Sequence, residues 1–86
     1  MDGKIRKVII FDDDENILSI CKFLLEEQQW EVHTFTDCND IVEKVSNILP
    51  NAVLMDNWIP DLGGIIATQT LKANEELKLI PVIYFC

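Results

Sequence analysis

The sequence has little positive charge and no long apolar run. Seven Lys and Arg residues stand against 15 Asp and Glu residues, which leaves a formal net charge of −8. A chain of this charge repels nucleic acid and anionic membranes, so we expect it to bind neither directly. No run approaches the roughly 20 apolar residues that a membrane-spanning helix needs, and residues 1–7 contain no apolar signal segment. We therefore expect a cytoplasmic protein.

The chain also has few cysteines and a single histidine. Cys21, Cys38 and Cys86 are widely spaced and form no C-x-x-C pair, so we expect reduced and largely buried thiols. His33 lies in a segment that we interpret as an edge strand, and we expect it to be a surface residue rather than a carrier of phosphate.

Apolar residues, by contrast, are abundant. They make up 49% of the 86 residues, which is enough for the core of one small domain spanning 1–86. Four short apolar runs predict strands at 7–11, 30–35, 52–56 and 79–85. The first and third runs indicate strands that are buried on both faces. The second run alternates apolar and polar residues, which favours an edge strand.

Segments with helical periodicity separate the predicted strands. Asp14 is the predicted N-cap of a first helix, and Thr36 or Asp37 is the predicted N-cap of a second helix that Pro50 ends. A third helix is predicted over 65–74. The predicted apolar face of the first helix consists of Ile17, Ile20, Cys21, Leu24 and Leu25. That of the second helix consists of Ile41, Val42, Val45, Ile48 and Leu49.

The predicted order of elements is β-α-β-α-β-α-β with short connections. Strands that alternate with helices indicate parallel strands joined by crossover connections. Because the first and third strands are the most apolar, we place them at the centre of the sheet. The sequence therefore predicts an α/β fold, a flavodoxin-like doubly wound parallel sheet with strand order 2-1-3-4.

Carboxylates follow the two predicted central strands. Asp12 and Asp13 come directly after the first strand, and Asp56 is the last residue of the third. Neighbouring parallel strands end at the same edge of the sheet, which is where such folds place their chemistry. Three carboxylates at close range repel one another and favour a bound cation. Oxygen ligands without nearby His or Cys suit Mg²⁺, so we predict a Mg²⁺-dependent phosphoryl site with Asp56 as the nucleophile.

With this pattern of residues the chain resembles the receiver domains of two-component response regulators. The resemblance rests on the apolar strand that ends in Phe11, Asp12 and Asp13, and on Asp56 with Pro60 four positions later and Gly64 eight positions later. The apolar run at 81–85 matches the fourth strand of the family. The resemblance extends over the whole chain, which corresponds to about the first two thirds of a complete receiver.

The resemblance implies a role for each matching residue. Asp56 is expected to accept a phosphoryl group from a sensor histidine kinase or a phosphotransfer protein. Asp13 is expected to bind Mg²⁺ directly, Asp12 largely through water, and Trp58 through its backbone carbonyl. The domain would then be a self-phosphorylating and self-dephosphorylating switch rather than a turnover enzyme.

The sequence departs from the family pattern in two places. Cys86 stands where receivers usually have Thr or Ser, whose hydroxyl group hydrogen-bonds the phosphoryl group, and a thiol is a weaker donor. The family's lysine at the end of a fifth strand has no counterpart, because the chain ends before it. These departures favour an alternative, a non-phosphorylated pseudo-receiver that acts as a protein interaction module.

Two further expectations concern a different enzyme class and self-association. A phosphatase of the haloacid dehalogenase type would use an Asp-x-Asp motif after the first strand, which Asp12 and Asp14 supply, but that class leaves the Asp56 loop unexplained.

The predicted fourth strand is apolar and lies at an open edge of the sheet. We therefore expect either a homodimer or larger oligomer that pairs through this edge, or a natural protein that continues past Cys86.

Overall fold

A four-stranded parallel sheet forms the centre of this computed structural model, which describes residues 5–56 and 64–85. The strand order is 2-1-3-4, and all three pairings are parallel. This confirms the predicted doubly wound, flavodoxin-like sheet. The elements in chain order are β1 (Arg6–Phe11), α1 (Glu15–Glu27), β2 (Trp30–Phe35), α2 (Ile41–Ile48), β3 (Ala52–Asp56), α3 (Gly64–Lys72) and β4 (Val82–Phe85).

β1 lies between β2 and β3 and carries the centre of both core layers. Ile9 and Phe11 are buried on one face of the sheet, and Val8 and Ile10 are buried on the other. This alternation follows from the two-residue period of a strand. The continuous apolar sequence of β1 therefore matches a strand covered on both faces, as predicted.

The two faces of the sheet are covered by different helices. One face packs against α2 and α3 through Ile41, Val45, Ala67 and Leu71. The other packs against α1, where Leu18 is the one fully buried helix residue and Cys21 and Leu25 are partly buried. Within 5–56 and 64–85, no helix is long and apolar enough to cross a membrane.

The predicted apolar face of α1 is partly wrong. Leu18, which was left out of that face, is buried, whereas Ile17, Ile20 and Leu24 are exposed. Apolar residues cover more than half of the circumference of this helix, so periodicity alone could not identify the side that meets the sheet. The predicted N-cap is correct, because Asp14 Oδ1 accepts the backbone N–H of Asn16 at 2.9 Å.

The predicted start of α2 is also wrong. Neither Thr36 nor Asp37 caps this helix; its N-cap is Asp40, in the left-handed conformation and without a side-chain cap hydrogen bond. Asp37 Oδ1 instead accepts the N–H of Asn39 at 2.9 Å, which forms a turn ahead of the helix. Leu49 was assigned to the apolar face but is the exposed, left-handed C-cap.

β4 is shorter than predicted, because it begins at Val82 rather than near Leu79. Pro81 has no N–H, and the N–H of Ile80 donates to the carbonyl of Leu77 at 3.0 Å, so neither residue donates to β3, although the Pro81 carbonyl accepts the N–H of Val53 at 2.9 Å. Leu79 is 87% exposed. The apolar composition of this segment therefore overstated the length of the strand.

Candidate acidic site at the carboxyl edge of the sheet

Three aspartates converge where β1 and β3 end. Phe11 of β1 lies beside Met55 of β3, so the next residues along each strand, Asp12 and Asp56, are neighbours. Asp13 follows immediately. One carboxylate oxygen from each of the three residues lies within 4.8 Å of the other two. The parallel register of the two central strands therefore brings together the three carboxylates that the sequence singled out.

The three aspartates differ in burial. Asp12 is 4% exposed and Asp56 is 5% exposed, whereas Asp13 is exposed to solvent. The site therefore has two carboxyl groups at its base and one at its mouth.

Local hydrogen bonds orient Asp12. Its Oδ1 accepts the backbone N–H of Asp14 at 2.8 Å, and its own backbone N–H donates to the carbonyl of Phe35 at 3.1 Å. The first bond belongs to the start of α1, and the second ties the end of β1 to the end of β2. Sequence reasoning missed the role of Phe35. The available signal was its position as the last apolar residue of the predicted second strand.

The pKa of Asp12 is raised above its ordinary value. Burial contributes most to this shift, and the N–H of Asp14 partly opposes it. The negative charge of Asp56 and a hydrogen bond between the two carboxyl groups raise the pKa of Asp12 further, with a smaller contribution from the charge of Asp13. This corner of the molecule therefore favours either a proton or a cation.

The donor set fits a hard divalent cation. All three groups offer carboxylate oxygens, and no His or Cys belongs to the cluster. Mg²⁺ prefers oxygen ligands and keeps several of its waters, so a partly open site with a few carboxylates suits it. Asp12, Asp13 and Asp56 are thus the described residues that could hold this ion.

The remaining predicted site residues lie outside the described residues. These are Trp58, Pro60 and Cys86. Gly64, which was matched to the family's loop, is the first residue of α3. The loop that follows Asp56 therefore joins β3 to α3.

The described thiols near the site are not reactive groups. Cys38 is buried with its Sγ 3.8 Å from the Sδ of Met55, and burial raises its pKa to about 11. Burial also raises the pKa of Cys21, with a further increase from the negative charge of Asp12. Both remain protonated at neutral pH and fit the expected role of reduced core thiols.

The chain matches known proteins at the levels of family, sequence and fold. The profile of the response regulator receiver domain matches residues 8–86. The CAI-1 autoinducer sensor kinase/phosphatase CqsS of Vibrio cholerae is 33% identical over 79 residues, which are 91% of this chain and 12% of that protein. The chain therefore spans a small part of this curated relative.

Solved structures of receiver domains share the fold. The N-terminal domain of a response regulator receiver protein from Methanoculleus marisnigri superposes with a TM-score of 0.88 at 20% identity, over 94% of this chain and 66% of that one. The receiver domain of the sensor histidine kinase PA1611 from Pseudomonas aeruginosa was solved with a magnesium ion in its active-site cleft. It superposes with a TM-score of 0.86 at 22% identity, over 94% of this chain and 66% of that one. The chain spans about two thirds of these solved chains. With its sheet order, its acidic corner and the family profile in agreement, it belongs to the response regulator receiver domains of two-component signalling systems.

Proposed function

We propose that this receiver domain accepts a phosphoryl group on Asp56 from a sensor histidine kinase or a phosphotransfer protein, with Mg²⁺ as cofactor. The observation that carries the proposal is the convergence of Asp12, Asp13 and Asp56 within 4.8 Å at one sheet edge. In the transfer, an oxygen of Asp56 bonds to phosphorus while the bond from phosphorus to the donor's imidazole nitrogen breaks, and the electron pair of that bond returns to the ring. The product is a phosphoaspartate.

Each aspartate has a separate task in this proposal. Asp13, exposed at the mouth, would bind Mg²⁺ directly, and Asp12 would bind it largely through water and hold it beside Asp56. The backbone carbonyl of Trp58 is a further proposed ligand. Bound Mg²⁺ supplies positive charge that offsets the charge on the phosphoryl oxygens. We propose a switch that is modified once per cycle rather than an enzyme that turns over a separate substrate.

Intact-mass analysis with a small phosphodonor tests the proposal. The wild-type chain is expected to gain one phosphoryl group in the presence of Mg²⁺, and to lose that adduct when EDTA is added before the donor. Asp56→Asn should abolish the adduct, since it removes the nucleophilic carboxylate. Glu75→Gln, an exposed change on the α3–β4 connection, is the matched control and should be phosphorylated normally.

The same experiment separates the competing functions. A non-phosphorylated interaction module would give no adduct with any variant. A phosphatase that uses Asp12 as its nucleophile would keep the adduct in Asp56→Asn and lose it in Asp12→Asn. The hydrogen bonding of Asp14 argues against that class, because its carboxylate caps α1 through Asn16 instead of joining the acidic cluster.

A further inference from the structure

Lys44 on α2 contacts both the last residue of β2 and the turn that follows it. Its Nζ lies 3.1 Å from Asp37 Oδ1 and 4.6 Å from the centre of the Phe35 ring. The Lys44 side chain is 24% exposed, so its charge is partly shielded from water. An ion pair and a cation–π contact thus meet at one ammonium group.

The residue beneath this ammonium, Phe35, touches the acidic site. Its carbonyl accepts the N–H of Asp12 at 3.1 Å. Its ring stacks on that of Phe11, with ring centres 5.5 Å apart and an angle of 24° between the planes. Phe11 is the residue directly before Asp12. Phe35 therefore contacts both the backbone of Asp12 and the side chain next to it.

β2 gives Phe35 support from one side only. Among residues 5–56 and 64–85, β2 pairs with β1 and with no other strand. Phe35 is the last residue of β2, and the chain beyond it turns toward α2. The position of its carbonyl therefore depends on contacts with side chains as well as on the sheet.

The turn after β2 is fastened through Asp37. Its Oδ1 accepts the N–H of Asn39 at 2.9 Å and also contacts Lys44. The Asn39 N–H and the Lys44 ammonium lower the pKa of this carboxyl group, so it is ionised at neutral pH. Lys44 consequently holds both the ring of Phe35 and the loop behind it.

We propose that Lys44 is a positioning residue for the acidic site. By holding Phe35 against Phe11, it keeps the Phe35 carbonyl bonded to the Asp12 N–H, and so keeps the Asp12 carboxylate in place beside Asp56. As far as Mg²⁺ binding is concerned, the inference rests on the proposed function. The hydrogen bond to Asp12 can be examined without any metal.

Two substitutions at Lys44 test the proposal. Lys44→Met keeps a long apolar stem but loses the charge, whereas Lys44→Arg keeps both the ion pair and the cation–π contact. Amide hydrogen exchange, followed by NMR on the metal-free chain, reports on the Asp12 N–H. We expect exchange about fivefold to tenfold faster in Lys44→Met, the size of one lost cation–π contact with a partly exposed ion pair. Exchange in Lys44→Arg should stay close to wild type.

A third variant removes the ion pair by changing Asp37 instead of Lys44. Asp37→Asn removes the ion pair but leaves an oxygen that can accept the Asn39 N–H, so a smaller acceleration at Asp12 is expected. Lys78→Met is the matched control, because Lys78 forms an exposed ion pair with Glu75 at 3.1 Å away from the site. It should leave exchange at Asp12 unchanged.

Mg²⁺ titration gives the second measurement. Affinity should fall severalfold in Lys44→Met and return toward wild type in Lys44→Arg. If the wild type binds no Mg²⁺, the proposed function fails, and the exchange data still decide the role of Lys44. Unchanged exchange at Asp12 in Lys44→Met would overturn the inference. So would equal acceleration at Asp12 and at the core amide of Met55, since that pattern reports general destabilisation.

Discussion

At the scale of single residues, Asp12 places an ionisable group where its charge is unfavourable. Its pKa is raised mainly by burial, with Asp56 adding to the effect. A carboxyl group with a raised pKa binds its proton more tightly in the folded chain than in the unfolded one. Protonation of Asp12 therefore stabilises the fold, and this contribution is lost as pH rises from 3.8 through the raised pKa.

The first prediction follows for the metal-free chain at neutral pH. Asp12→Asn should increase the free energy of unfolding, because it removes the buried charge and keeps an oxygen for the Asp14 N–H. A gain of about 1 kcal/mol would raise Tm by roughly 4–8 °C in a domain of this size. Thermal unfolding with EDTA measures the shift. A lower Tm in Asp12→Asn would show that the buried charge of Asp12 does not destabilise the fold.

The second prediction concerns the pH dependence of Mg²⁺ binding. The cation binds ionised carboxylates, so it competes with the proton on Asp12. Affinity should therefore increase as pH rises through the raised pKa of that group and level off above it. Calorimetric titrations at several pH values between about 4 and 7 would show the trend. Constant affinity over that range would mean that Asp12 takes no part in binding.

The sequence predicted the members of this site but not their environment. Asp12, Asp13 and Asp56 could be chosen because strand ends can be read from apolar runs, and parallel topology then brings them together. Which two would be buried depends on how the start of α1 and the end of β2 pack around them. The contact from Phe35 to Asp12 joins residues far apart in the chain, and its one sequence signal is the position of Phe35 at the end of the predicted second strand.

At the scale of elements, α1 shows that an apolar residue of an amphipathic helix is not always a buried one. Leu18 is 5% exposed and Leu24 is 57% exposed, although both are leucines on the same helix. The periodicity of the sequence predicted that Leu24 faces the core and gave no sign that Leu18 does. Only the packing of the helix against Val8, Ile10 and Val32 decides between them.

This difference gives a third prediction. Leu18→Ala should cost about 2–5 kcal/mol of unfolding free energy, as expected for a cavity in a core. Leu24→Ala should change it by no more than about 0.5 kcal/mol, because the side chain is largely in water. Urea unfolding of the two variants measures both values. Equal losses in the two variants would contradict the orientation of α1 against the sheet described above.

A fourth prediction concerns the end of α2. Leu49 is the C-cap, with φ of 52° and ψ of 64°, and its side chain is 62% exposed. A residue with a Cβ atom in this left-handed conformation costs roughly 1–2 kcal/mol, a cost that glycine avoids. Leu49→Gly is therefore expected to stabilise the chain by up to about 1 kcal/mol. Leu49→Ala is the matched control and should give no gain, since alanine keeps the Cβ atom.

At the scale of the whole molecule, the two outer strands of the sheet differ in how apolar they are. β2 is half-polar, whereas β4 consists of Val82, Ile83, Tyr84 and Phe85. Ile83 is 53% exposed and Tyr84 is 42% exposed. Among the described residues, β4 pairs with β3 alone. An apolar edge strand without charges favours pairing with another chain.

The fifth prediction is that the 86-residue chain self-associates through β4. Sedimentation velocity over a dilution series should show a concentration-dependent dimer or larger species. Ile83→Lys should shift the distribution toward monomer, because a charge on an edge strand opposes pairing. Ile66→Lys, at an exposed position of α3, is the control that adds the same charge elsewhere. A monodisperse wild-type monomer would show that this edge does not pair.

The overall topology could be predicted from the sequence more fully than its details. The order 2-1-3-4 followed from which runs were apolar on both faces and which alternated. The shortening of β4 and the cap at Asp40 could not be read in the same way. The shortening of β4 accompanies a backbone hydrogen bond from Ile80 to Leu77, and the start of α2 follows a turn that the Asp37 carboxylate closes; several residue types can form turns of both kinds.

The central position of β1 also constrains how the chain can fold. Lys7 and Asn51 exchange hydrogen bonds at the β1–β3 junction although they lie 44 positions apart. Closing so long a loop costs chain entropy before the core contacts can repay it. β1 is therefore synthesised well before β3, its second neighbour in the sheet. Until β3 is available, β1 can pair along one edge at most, so its second edge stays open for as long as the chain takes to reach β3.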